Sequence, residues 1–183
     1  MFAAGLGCAL TPVVLSAGWT VAGSAGQLVV PAALAFGLAL LAMMSAAMTA
    51  KSGASLACAT WPSCNGALIP DLDDYFVRIH FAHRVLAAAT GGTILFLLWR
   101  CLTLPALPSG LRRTAVLAAL LVVTQIGLGA LIILLQVPVP EAVLHQAVGV
   151  LTFATLTLIL WRVAPGKSAA ELGDADGLAL RGA

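Results

Sequence analysis

Between Leu28 and Thr49 the chain runs for 22 residues without a charged side chain. At the helical rise of 1.5 Å per residue such a run is about 33 Å long, enough to cross a hydrocarbon core of about 30 Å. Three further apolar runs follow, with approximate bounds Tyr75–Arg100, Leu111–Leu135 and Glu141–Arg162. Backbone in lipid must satisfy its own hydrogen bonds, so these runs restrict the chain to membrane-spanning helices. Charged residues are only 9% of the sequence, against about a quarter in a soluble domain, and hydrophobic residues are 61%. The fold class expected is therefore all-α, an integral membrane four-helix bundle.

The segments outside the bundle read differently. Residues 1–26 are apolar but interrupted by Gly5, Gly7, Pro12 and Gly18, and Gly23-Ser24-Ala25-Gly26 reads as a break. The open readings are an additional apolar helix, an interfacial helix or a leader; without a basic n-region, retention is favoured over cleavage. Residues 27–163 form the transmembrane domain, and within it 51–74 is a polar loop whose Gly, Pro and Asn residues interrupt any helix. Residues 164–183 are expected to be a mobile tail.

Basic residues orient the bundle. Arg100, Arg112, Arg113, Arg162, Lys167 and Arg181 lie on one side, while Lys51 and Arg78, with Arg84 just inside, lie on the other. The first side is expected to be cytoplasmic, in a multi-pass protein of the cell membrane whose 51–74 loop faces outward. A net charge of +2, scattered along the chain, excludes nucleic acid as a natural partner and leaves membrane lipid as the surroundings.

The chemistry-bearing residues concentrate in Arg78-Ile79-His80-Phe81-Ala82-His83-Arg84. Two of the three histidines sit there, one helical turn apart. The third, His145, is in the fourth run. His83 lies sixteen positions before Trp99-Arg100, and His145 lies sixteen positions before Trp161-Arg162. If both Trp-Arg pairs mark one interface, the two imidazoles are at equal depth, roughly 24 Å from it. Two imidazoles level on parallel helices suit the two axial positions of one flat metal macrocycle, a haem. The competing readings are an interhelical hydrogen bond for any one histidine, and a metal ion held by all three. Small residues near them, Ala87 to Gly92 and Ala147 with Gly149, allow close approach but are also generic membrane packing.

Arg84 inside a span requires a polar partner: a haem propionate, or one of Asp71, Asp73, Asp74 and Glu141. Gln125 reads as an interhelical hydrogen-bonding group. Cys58 and Cys64 share the outer loop with five residues between them, spaced for either a structural staple or a redox pair.

The loop Ser52-Gly53-Ala54-Ser55-Leu56-Ala57-Cys58-Ala59-Thr60-Trp61-Pro62-Ser63-Cys64-Asn65-Gly66, then Ile69-Pro70 and His83-Arg84, resembles the first outer loop and second helix of the haem A synthase family. Gln125 with Gly129, and His145, extend the resemblance over roughly Leu28–Arg162. It implies an oxidoreductase that converts the C8 methyl of haem O to the formyl of haem A. It further implies haem b as cofactor, His83 and His145 as axial iron ligands, and Cys58 and Cys64 as a disulfide-capable pair. Haem O is then the substrate, haem O synthase a neighbour, and an electron donor a further partner.

Two features depart from the family pattern. The usual member has eight helices in two similar halves, whereas this sequence supplies one half, a compact form expected to self-associate. The family commonly has Glu where this sequence has His80, which makes His80 the candidate catalytic group in its place. Two rival functions follow: a non-catalytic b-type haem electron-transfer or haem-carrying protein, and a quinone-linked thiol-disulfide oxidoreductase. The wide cysteine spacing and the paired histidines argue against the second.

Overall fold

A computed structural model describes residues 23–164; the proposed character of residues 1–22 and 165–183 lies outside the described residues. Four long helices follow one another: α1 Val29–Ser52, α2 Tyr75–Thr103, α3 Ser109–Leu134 and α4 Val139–Val163. All four are long and apolar enough to cross a membrane. Gly23-Ser24-Ala25-Gly26, expected as a break, lies instead in a 3-10 helix, Gly23–Leu28, that feeds α1 directly.

Local chemistry sets the helix ends. α1 stops at Gly53, whose φ of 83° is cheap only without a Cβ, and whose N–H closes on the Thr49 carbonyl. Asp74 starts α2: its Oδ1 accepts from the N–H groups of Phe76 at 2.7 Å and Val77 at 3.1 Å. α2 extends to Thr103 and α3 begins at Ser109, so the intervening Pro/Gly loop is shorter than the sequence suggests. α4 begins at Val139, taking Pro140 into its first turn, where a missing N–H costs nothing.

The short connections make neighbours antiparallel, so α2 and α4 run parallel. α1 and α3 each pack against both α2 and α4, while the diagonal pairs scarcely touch. His83 and His145 thus sit on diagonally opposed helices, facing across the bundle axis rather than along one helix contact.

Packing is uneven along that axis. At the Trp99/Trp161 end, Ala32, Ala35, Ile94, Leu97, Leu156 and Ile159 are sealed from solvent, the alanines admitting close helix approach. At the loop end a small second cluster gathers Cys58, Cys64 and Val77. Between them lies a band with no fully buried side chain: positions 40–48 of α1, 81–89 of α2, 123–129 of α3 and 139–151 of α4. Leu40, Met44, Val85, Phe96, Leu120 and Leu151 are exposed on the outside, as lipid requires.

Candidate functional site

His83 and His145 both enter that loosely packed band, and their rings are within electrostatic reach of each other. Each ring is held by a different device. Nδ1 of His83 is 3.0 Å from the Ser45 hydroxyl on α1. The single hydroxyl hydrogen of Ser45 goes to the Ala42 carbonyl at 2.8 Å, so Ser45 Oγ is the acceptor and His83 Nδ1–H the donor.

His145 instead rests on glycine. A Cβ built on Gly129 would come within 3.2 Å of His145 Cε1 and 3.7 Å of its Nδ1. One turn along the antiparallel pair, a Cβ on Gly149 would come within 3.1 Å of Gln125 Nε2. The two contacts interlock α3 and α4: a side chain from each helix lies over a glycine of the other. Nδ1 of His145 and Oε1 of Gln125 are buried without a hydrogen-bond partner.

His80 does not join them. It is 4% exposed, with Nδ1 2.9 Å from the Ala54 carbonyl and 3.4 Å from the Cys58 amide. The shorter contact makes Nδ1 the donor to Ala54, and the ring pins the start of the outer loop to α2. Consistently, the described residues contain no group of three or more His, Cys, Asp or Glu able to hold a bare metal ion. The three histidines therefore divide into a facing pair and a loop anchor.

Arg84 also turns to the loop. Its Nη1 donates to the carbonyls of Thr60 at 2.8 Å and Ser63 at 2.9 Å, and its Nη2 to that of Cys58 at 2.7 Å. This leaves Nε–H and one Nη2–H for any carboxylate. Cys58 and Cys64 are joined by a disulfide with Cα atoms 4.5 Å apart, and both are sealed from solvent. Asn65 braces the loop, its Oδ1 accepting from Ala59 N–H at 2.9 Å and its Nδ2 donating to the Ala57 carbonyl at 2.8 Å. Asp74 is spent on the α2 cap and Asp71 accepts from the Asp73 amide, so these acids serve local turns.

Ser45 was not singled out by the sequence. The only signal for it is that Ser45 and Thr49 are the sole hydroxyls in the Leu28–Thr49 run, one turn apart, with Thr49 Oγ1 bonded to the Ser45 carbonyl at 2.9 Å.

Comparison with known proteins locates this arrangement. The model of the COX15-CtaA family, described as cytochrome oxidase assembly protein, matches residues 6–157. The chain is 33% identical over 141 residues to heme A synthase COX15 of Bos taurus, covering 68% of this chain and 32% of that protein. It is 44% identical over 79 residues to heme A synthase of Symbiobacterium thermophilum, 43% of this chain and 25% of the other. It is also 32% identical over 151 residues to a protoheme IX farnesyltransferase of Haloarcula marismortui, 79% of this chain and 29% of the other. The matched region thus spans between a quarter and a third of each of these relatives. No solved structure matches. With a family model covering most of its length and its outer loop, His83 and His145 in the places described, the chain belongs to the COX15-CtaA family, the family of the haem A synthases.

Proposed function

We propose that this chain is a membrane oxidoreductase of haem A biosynthesis, in which His83 and His145 ligate a haem between diagonal helices and the C8 methyl of haem O is oxidised to a formyl group. The observation that carries the reading is the pair of imidazoles on diagonal helices inside a band with no fully buried side chain. Everywhere else along the axis the helices close on one another. The residues fit the group: two imidazole donors on parallel helices, a glycine cradle under one ring and a hydroxyl beside Nδ1 of the other.

When bound, the haem iron supplies the redox chemistry. The chain's own part is placement. His83 and His145 would hold the macrocycle from the two parallel helices, within the band they share. Gln125 Oε1, buried and unpaired, offers an acceptor beside the His145 ring. The outer loop, tied down by Arg84 and His80, closes one end of the bundle.

The remaining parts of the proposal rest on sequence. The excess of arginine at the Trp99/Trp161 end puts that side in the cytoplasm and the disulfide loop outside. Self-association would assemble two bundles where longer family members carry them in one chain, with a haem b site and a haem O site in different protomers. The Cys58–Cys64 pair is either a staple of the loop or its relay to an electron donor, and haem O synthase is the natural source of substrate.

A second reading is favoured by His80. The resemblance leads one to expect a carboxylate there, and this imidazole has its Nδ1 committed to the Ala54 carbonyl. Only Nε2 remains for catalysis, which suits a haem carrier or electron-transfer protein as well. The deciding experiment is to purify the full chain after expression with and without a haem O synthase and to analyse extracted haem by mass and absorption. Haem A or its alcohol precursor, appearing only when haem O is supplied, establishes the oxidation. Unmodified haem with intact low-spin absorption assigns the chain to the non-catalytic reading.

A further inference from the structure

The two candidate ligands differ in what lies behind them. Behind His83 is a complete relay: Nδ1–H donates to Ser45 Oγ at 3.0 Å, and Ser45 O–H donates to the Ala42 carbonyl at 2.8 Å. His145 is placed differently, its ring lying over Gly129 of α3.

We infer that Ser45 is the positioning residue of the site: by accepting from Nδ1–H it holds the His83 ring in the tautomer whose Nε2 carries the lone pair, the nitrogen that would face a bound iron. The inference rests on the bis-histidine reading above. The physical argument is that a ligating imidazole must present an unprotonated nitrogen to the metal. A hydrogen bond from the opposite N–H fixes which nitrogen that is, orients the ring and raises its basicity. Ser45 comes from α1, the helix packed against both ligand helices, so the bond also sets the height of His83 relative to the bundle axis. His145 is oriented by shape, its ring lying over Gly129.

The experiment compares full-length wild type with Ser45→Ala, Ser45→Thr and His83→Ala in detergent, loaded with ferric protohaem. Haem loss to an acceptor protein, the reductive midpoint potential and the low-spin absorption are read for each. Loss of an outer-shell partner typically weakens metal binding 10- to 100-fold. Ser45→Ala is expected at the low end, about 10-fold faster haem loss, because the ligating ring itself is kept. The potential should rise, since a less basic ligand stabilises ferric iron less. Alanine is the better helix former, so this variant should fold. Ser45→Thr keeps a hydroxyl and should return both readouts to wild type.

Wild-type retention and potential in Ser45→Ala overturn the inference while leaving His83 as a ligand. A Ser45→Thr chain as impaired as Ser45→Ala overturns it too, by showing that volume and not the hydroxyl matters. Full low-spin binding in His83→Ala overturns the bis-histidine reading itself.

Discussion

Arg84 Nη2 donates to the carbonyl oxygen of Cys58 at 2.7 Å, which ties the residue next to His83 to the first half of the outer disulfide. With Nη1 on Thr60 and Ser63, one guanidinium gathers three carbonyls of the loop onto α2. An isolated arginine in an apolar span is expected to seek a carboxylate; here neutral backbone dipoles take that role, at the mouth of the bundle.

Arg84→Met should release the loop. Hydrogen bonds to a charged group contribute about 1.5–3 kcal/mol, and because these three share one partly exposed donor we expect a total loss of that order. Arg84→Lys should recover only part, since an ammonium lacks the planar fork that reaches three acceptors. Thermal unfolding in detergent measures the first effect. The second is read as the rate at which mild reductant opens Cys58–Cys64 to a thiol label, fastest in Arg84→Met; equal rates in all three chains would remove Arg84 as the clamp.

Replacing both Cys58 and Cys64 by serine should lower stability by about 2 kcal/mol, the scale for a short closed loop. If the disulfide is a staple only, haem absorption and haem A formation survive at a temperature well below the melting point. Loss of haem A formation with unchanged absorption would instead assign the pair to electron supply. Both quantities come from one purified sample.

Gly129 and Gly149 should respond unequally to alanine. A methyl on Gly149 meets the far end of the Gln125 side chain, which can swing aside; a methyl on Gly129 meets the His145 ring, whose tilt sets the ligand geometry. Helix propensity favours both substitutions by about 1 kcal/mol, so neither should prevent folding. Gly129→Ala is expected to weaken haem retention and perturb the low-spin absorption, and Gly149→Ala to leave both near wild type. A reversed order would contradict the cradle.

His80→Ala should cost about 1–3 kcal/mol, because the Ala54 carbonyl is left buried without its donor. The low-spin absorption of the His83/His145 pair should persist, since His80 faces the loop. His80→Glu tests the departure from the family pattern: a gain in haem A formation would mark the carboxylate as the missing catalytic group. Extracted haem and thermal unfolding are measured for both variants.

Much of this molecule was legible in one dimension. Lipid forces backbone hydrogen bonds inside each segment, so four long apolar runs already meant four helices. Equal spacing from each histidine to its Trp-Arg pair led to the expectation of His83 and His145 at one depth, because helical rise is constant. What the sequence by itself could not decide was rotation about each axis. These helices are apolar nearly all round, so no polar stripe tells which side faces lipid and which faces the bundle. Only packing put α2 and α4 on a diagonal, left a band open between them, turned His80 and Arg84 to the loop, and brought Ser45 of α1 to the ring of His83, 38 residues away in the chain. Depth is a property of one helix; a site needs facing side chains, and those are set by the neighbours each helix packs against.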